Sequence, residues 1–376
     1  MMVKKRGNNG DLMKERLHPF QLSILIYTIQ NGLVLYSLPR YTAEYFGTNG
    51  WISIVFIFVL VNINILMIAF IYKLGKGRSI FEIIDKTVPK WIMVPFYLFI
   101  ICVWIGTASM IMRLYIFIFK MMFFPALPVS LFIFFFILLS FQMLRGGLYK
   151  MTKAIVVLCA IVQPMLFLLF YLVPEFEFAR FTTFFFKGGT DFFKGALHVY
   201  TAFLGIEVSI LFFPMVEKKW TKALFIGNLL TTVGYILVTA ICYGFFSFNQ
   251  ILNDLIPVMT LFEYTEVSFL SRAENLCFSV FAFKILSIIV IYFWGAQQFL
   301  GNMMKKMKPN VWIFIILACA FLFAMLPDSI VDVEKWLSWL SYCAIGIAWA
   351  LPLFVLCILF IQILKKLIDR ETDHAK

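Results

Sequence analysis

Apolar residues run through the chain in ten long stretches separated by short polar connections, and two of the stretches are interrupted near their middles. A membrane-crossing helix needs about 20 apolar residues at 1.5 Å per residue. That ruler predicts helices over 17–46, 49–72, 92–119, 127–144, 153–173, 192–216, 223–247, 274–300, 311–327 and 336–364. The first stretch breaks at Gln30-Asn31-Gly32 and resumes as far as Pro39; the sixth breaks at Leu204-Gly205-Ile206-Glu207 and resumes as far as Pro214. Lipid offers no hydrogen bonds to an unwound backbone, so such breaks persist only where protein or ligand satisfies them. Paired breaks in corresponding halves point to a small-molecule site at mid-membrane depth. The alternative at each break is close helix packing, for which glycine is common in membrane helices.

The spacing predicts an all-α polytopic membrane protein: ten transmembrane helices in a five-plus-five inverted repeat, with helices 1 and 6 discontinuous. One domain covers 1–376, with 1–16 and 365–376 as cytoplasmic tails around a bundle at 17–364. Between the second and third stretches, Ile80, Phe81, Ile83, Ile84 and Val88 alternate with Glu82, Asp85 and Lys86, the pattern of a short helix in the membrane interface. The connection 249–273 mixes Ile251, Leu255, Leu261 and Phe262 with acidic residues, which suits either an outer lid or a plain connector. Phe184, Phe185 and Phe186 in the preceding outer loop read as interfacial anchors.

Composition supports this class. The 376 residues are 62% hydrophobic and 14% charged, with a mean hydropathy of +0.93, too much apolar surface for a soluble core. The net charge of +12 does not indicate nucleic acid, because the basic residues sit in the short connections rather than along one aromatic-laced stripe. They fall mainly on one side of the predicted bundle: Lys4, Lys5, Arg6, Lys73, Lys76, Arg78, Arg145, Lys150, Lys218, Lys219, Lys222, Lys305, Lys306, Lys365 and Lys366 among them. That asymmetry places both termini in the cytoplasm. The first span follows a polar start without a small-residue cleavage signal and reads as retained. Seven cysteines, all in apolar stretches without paired spacing, read as buried free thiols.

Charged groups inside spans are the candidates for chemistry, since each costs roughly 2.5–3.5 kcal/mol at a helix centre. Arg113 lies near the outer end of the third span and is expected to snorkel. Glu207 and Lys284 fall at similar counted depth, near the middle of the sixth span and ten residues into the eighth. Glu207 therefore either pairs with Lys284 or meets a ligand ammonium, while the broken helices offer backbone donors to a ligand carboxylate. A purely structural ion pair is the alternative. The candidate ligand site comprises Gln30, Asn31, Gly32, Leu33, Leu204, Gly205, Ile206, Glu207 and Lys284. His18, His198 and His374 have no partners at metal spacing, Gly75-Lys-Gly-Arg-Ser79 lacks phosphate-loop spacing, and no catalytic motif is present. No cofactor, metal or enzymatic activity is expected.

Particular residues carry a resemblance along essentially the full chain: Ile29-Gln-Asn-Gly-Leu33 with Leu38-Pro39, Phe203-Leu-Gly-Ile-Glu207 with Phe213-Pro214, and Glu263-Tyr-Thr-Glu266 leading to Ser271-Arg-Ala-Glu274. The sequence resembles the spore germination permeases, the B subunits of endospore germinant receptors, within the amino acid–polyamine–organocation superfamily. It departs at Ser271, where the family usually has Glu, and at Phe281-Ala-Phe283, where a tryptophan is usual. The resemblance implies a spore inner-membrane subunit that binds a nutrient germinant: an amino acid, a sugar or a nucleoside. It also implies that A and C receptor subunits relay the signal. An ion-coupled amino-acid transporter is the alternative reading.

Overall fold

A computed structural model describes residues 16–216, 219–264, 273–304 and 307–374. Within them the chain is helical, with two isolated β-bridges and no strand. The helices in order are α1 (Pro19–Gln30), α2 (Val34–Phe46), α3 (Ser53–Gly75), α4 (Ile80–Asp85), α5 (Lys90–Met122), α6 (Val129–Arg145), α7 (Gly147–Phe167), α8 (Phe192–Thr201), α9 (Trp220–Phe245), α10 (Phe248–Asn253), α11 (Pro257–Glu263), α12 (Ala273–Met303), α13 (Pro309–Met325) and α14 (Ile330–His374). Six of these segments are long and apolar enough to cross a membrane, and α1 with α2 makes a seventh that bends by 60° at its break. Helices α6 and α13 are apolar but shorter, at 17 residues each. The sixth expected span is α8 followed by 3-10 turns over Ile206–Leu211 and Phe213–Met215.

Local chemistry starts the helices where the chain enters them. His18 caps α1 through Nδ1, which accepts from the Phe20 N–H, while Gln21 Oε1 accepts from the His18 N–H and Pro19 needs no donor partner. Asp191 caps α8 by accepting from the N–H groups of Phe193 and Lys194. Gly47 ends α2 at φ 77, where an added Cβ would strike the Lys187 carbonyl. That close approach seats the phenylalanine-rich loop on the bundle: Thr48 donates to Phe184 and Asn49 to Thr182 and Phe184.

Helix α12 sits at the centre, buried without a gap from Lys284 to Ala296, and packs along α5, while α7 lies at the periphery. Lipid-facing helices carry exposed apolar rows such as Phe134, Phe135, Leu138 and Leu139 on α6. The short helix predicted after the second stretch is α4, whose Ile83 carbonyl accepts from Gln362 of α14. Helix α14 continues through 365–374, where a tail was expected, because nothing in that polar stretch breaks the helix. The connection after α9 folds into α10 and α11, tied down by Ser37 donating to the Leu255 carbonyl. Residues 265–272 of that connection, including Glu266 and Ser271, lie outside the described residues, as do 1–15.

Four cysteines depart from expectation, Cys343 being only half-buried. Cys102, Cys319 and Cys357 are exposed on the bundle surface and only Cys159, Cys242 and Cys277 are fully buried, since an apolar stretch has a lipid face as well as a core face. Arg113 does not snorkel. It is 5% exposed, its Nη2 donates to the Pro327 carbonyl at 2.7 Å and its guanidinium lies 4.4 Å from the centre of the Phe117 ring. A free carbonyl just past α13 supplies the acceptor that the membrane surface was expected to give.

Candidate functional site

The two breaks lie against each other, with Gln30 donating to the Phe203 carbonyl, but handle their backbone groups differently. At the first, α1 ends at Gln30 and α2 starts at Val34. The Asn31 and Gly32 N–H groups bond back to Tyr27 and Gln30 carbonyls, and the Gln30 carbonyl also accepts from Tyr235 Oη. Among the described residues, the N–H groups of Leu33 and Val34 have no such partner. Free donors at the N-terminus of a helix form a site for a negative group. Gln30 donates to the Phe203 carbonyl and to Asn228 Oδ1, leaving its own Oε1 buried and unpaired. The Asn31 amide is buried beside the Tyr27 hydroxyl without a hydrogen bond of good geometry.

The second break is closed on itself. Gly205 adopts φ 106, a conformation that costs little only without a Cβ, and an added Cβ would lie 2.5 Å from Ile29 Cγ1. Glu207, 1% exposed, folds back so that Oε2 accepts from the Gly205 N–H at 2.7 Å and Oε1 accepts from Tyr292 Oη at 3.1 Å. The protein thus supplies its own carboxylate to the second break. Leu204 reaches the central space, while Ile206 packs into the core.

A cavity of about 380 Å³ runs from the first break toward the α10–α11 end. Gln30, Gly32, Leu33 and Val34 form its floor with Thr107, Thr201, Leu204, Ile288 and Tyr292; Arg40, His198, Glu263 and Glu334 stand toward its mouth. Leu255, Ile256 and Met259 line it, so the described part of the connection after α9 contributes to the cavity wall. Toward α4 the bundle is plugged by aromatic contacts: Trp104, Tyr97 and Phe81 each pack on Phe299 at 5.1–5.4 Å, and Phe212 stacks on Trp294 at 5.0 Å. Leu17 donates from its N–H to the Met215 carbonyl at the same end.

The candidate residues divide accordingly. Gln30, Gly32, Leu33 and Leu204 line the cavity; Asn31, Gly205, Ile206 and Glu207 stand behind its wall, with Glu207 one residue away through Tyr292. Lys284 is elsewhere. Its Nζ lies 4.7 Å from the centre of the Tyr27 ring and 5.9 Å from that of Phe281, and among the described residues no ion pair joins it to Glu207. The expected pairing fails for a geometric reason. Glu207 meets α12 at Tyr292, eight residues and so about 12 Å beyond Lys284. Equal depth was counted from span ends read off the sequence, whereas the sixth span leaves regular helix at Thr201, before it reaches Glu207. Tyr27 in turn donates to Gln163 Oε1, and both border an apolar lateral groove between α1, α7 and α9.

Several wall residues gave no sequence signal. Thr107 borders the cavity with its hydroxyl unpaired, and Tyr292 connects the cavity to Glu207. His198, which has no metal partners, stacks between Tyr41 and Tyr45 at 5.3 and 5.0 Å. Among the described residues no cluster of His, Cys, Asp or Glu is arranged to hold a metal.

The fold is shared with solved transporters. A nucleobase-cation-symport-1 family transporter with bound bromovinylhydantoin aligns at a TM-score of 0.62 and 12% identity, over 86% of this chain and 75% of its own. A manganese transporter from Eremococcus coleocola aligns at 0.58 and 12%, over 91% and 78%. In sequence, spore germination protein GerQB of Bacillus cereus is 26% identical over 82% of this chain and 87% of its own length. Spore germination protein A2 of Bacillus subtilis (strain 168) is 26% identical over 95% and 98%, and protein B2 of the same strain 24% over 93% and 96%. A family profile described as spore germination protein matches residues 16–333, which takes in both breaks, the connection after α9 and the whole of α12. With membrane-length helices around a cavity that ends at a broken helix, the chain is an integral membrane protein of the spore germination permease family, which is not a family of enzymes.

Proposed function

We propose that the chain is a germinant-sensing subunit of the spore inner membrane that binds a small nutrient, an amino acid above all, in the cavity at the first break. The reading rests on one observation. Leu33 and Val34, whose N–H groups at the start of α2 have no partner among the described residues, line the same cavity as Thr201, the last residue of α8. A helix N-terminus favours a carboxylate and a helix C-terminus favours an ammonium, so the two ends suit the two charges of an α-amino acid. A sugar or nucleoside would leave that pair of poles unused.

In this reading ten segments cross the membrane as two inverted sets of five, in one domain, with both termini on the spore-core side. The signal, in this reading, passes to companion A and C subunits of a germinant receptor. A ligand shifts such a bundle only by binding one arrangement more tightly than another, and the element that moves is the α1–α2 break against α9 and α12. The transporter-like fold favours a second reading, ion-coupled amino-acid uptake. Deletion spores screened against single nutrients test the first reading, with selective loss of response to one amino acid as the expected result. Net uptake of that amino acid by the chain alone in proteoliposomes, with germination intact in the deletion, would establish the second.

A further inference from the structure

We propose that the lipid-facing surface formed by α3 and α9 is the seat of a companion subunit's transmembrane helix, which presents a hydrogen-bond acceptor at mid-membrane to Asn62. Val55, Val59, Asn62 and Leu66 fall on one stripe of α3 at spacings of four, three and four. The three apolar members are 39%, 52% and 51% exposed. Ile226, Leu229 and Val233 make the matching stripe on α9, and Phe58 and Phe225 lie in the shallow apolar groove between them.

Asn62 is the polar member of this pair of stripes, partly exposed and about 14 Å into α3, so it stands near the bilayer centre. Its Oδ1 accepts from Asn228 Nδ2 at 3.2 Å, and its own Nδ2 donates to no partner among the described residues. Acyl chains cannot accept a hydrogen bond, and in membranes polar side chains join helices for that reason. A straight stripe of this spacing, apolar on both sides of one amide, fits a helix better than a lipid tail.

The amide is also wired to the ligand cavity. Asn228 Oδ1 accepts from Gln30 Nε2 at 3.1 Å, and Gln30 is the last residue of α1 at the first break. Thr232 donates to the Asn228 carbonyl, which fixes that turn of α9. A change in α1 at the break therefore reaches the outer face through two side-chain amides. This proposal rests on the receptor-subunit reading for its partner, while the surface itself does not depend on the ligand.

The experiment compares wild type with Asn62→Leu in two settings. Tagged chain is purified from spore membranes and the companion receptor subunits that come with it are quantified; separately, the chain expressed alone is melted in detergent. If Asn62 bonds a companion helix, Asn62→Leu lowers companion recovery by about fivefold, and because it also removes the acceptor of buried Asn228 Nδ2 the melting midpoint of the chain alone falls only modestly. Full companion recovery would show a lipid face and overturn the proposal. Loss of self-association with companions retained would assign the face to a second copy, and a lower midpoint with companions retained would make Asn62 a structural group; either result overturns it too. Wild-type chain that recovers no companion would instead overturn the receptor-subunit reading on which the partner rests.

Discussion

The two helix breaks share a sequence logic but not a chemical state. At the second, Glu207 gives its carboxylate to the Gly205 N–H and to Tyr292, so the site that a ligand anion would occupy is already filled. At the first, the Leu33 and Val34 N–H groups and the Gln30 Oε1 have no partner among the described residues. One break is closed by the chain's own carboxylate, and the other keeps donors that are unpaired among the described residues. Unsatisfied buried polar groups cost about 1–3 kcal/mol each, so the contrast says where a bound molecule gains most.

The largest effect is expected at the closed break. Gly205→Val puts a β-branched residue at φ 106 and drives its Cβ into Ile29, at a combined cost of roughly 3–5 kcal/mol. Membrane-inserted protein should fall sharply in amount and melt lower. Normal amount and midpoint would show that the turn relaxes without cost.

The next effect separates the geometry from the ion pair suggested by counting. Glu207→Gln combined with Tyr292→Phe should show a coupling of about 1 kcal/mol in a double-mutant cycle on thermal stability. Glu207→Gln combined with Lys284→Met should be additive. A coupling in the second cycle equal to that in the first would restore the Glu207–Lys284 pair.

Lys284→Met alone should leave stability unchanged or raise it. The ring contact with Tyr27 contributes about 2 kcal/mol when desolvated, against a penalty of several kcal/mol for burying an ammonium. A clearly lower midpoint would reveal an anionic partner. The smallest effect belongs to the loop. Phe184 and Phe185 are exposed, so replacing either with Ser should change stability by less than about 1 kcal/mol, whereas Phe186→Ser should cost more because that ring packs on Phe46 and Phe192. Equal effects at all three positions, measured as membrane abundance, would contradict that division.

What the sequence made legible was position along the chain. Apolar length located the helices, and polar or glycine residues inside apolar runs located both breaks to within a residue or two, because unwound backbone in lipid requires such residues. Direction around a helix was not legible. Glu207 and Lys284 counted to the same depth, yet one faces Tyr292 and the other Tyr27, since a broken segment resets both rise and rotation. For the same reason Thr107, His198 and Tyr292 emerged as wall residues only once α5, α8 and α12 were packed together. The pattern separated apolar from polar but not core from lipid, which is why Cys102, Cys319 and Cys357 were expected inside and lie outside.

The central claim is that the first break forms the floor of the ligand site, and Gly32 tests it most directly. Gly32 has no left-handed φ, and an added Cβ would meet Ile288 Cδ1 at 3.4 Å, an ordinary contact. Gly32→Val therefore places its Cβ in ordinary contact and adds two methyl groups next to Ile288 and the start of α2, both of which line the cavity. In spores with equal amounts of receptor, the half-maximal germinant concentration should rise by about tenfold or more, the equivalent of losing 1.4 kcal/mol of binding. An unchanged dose–response at equal protein would contradict the claim and move the ligand away from this break.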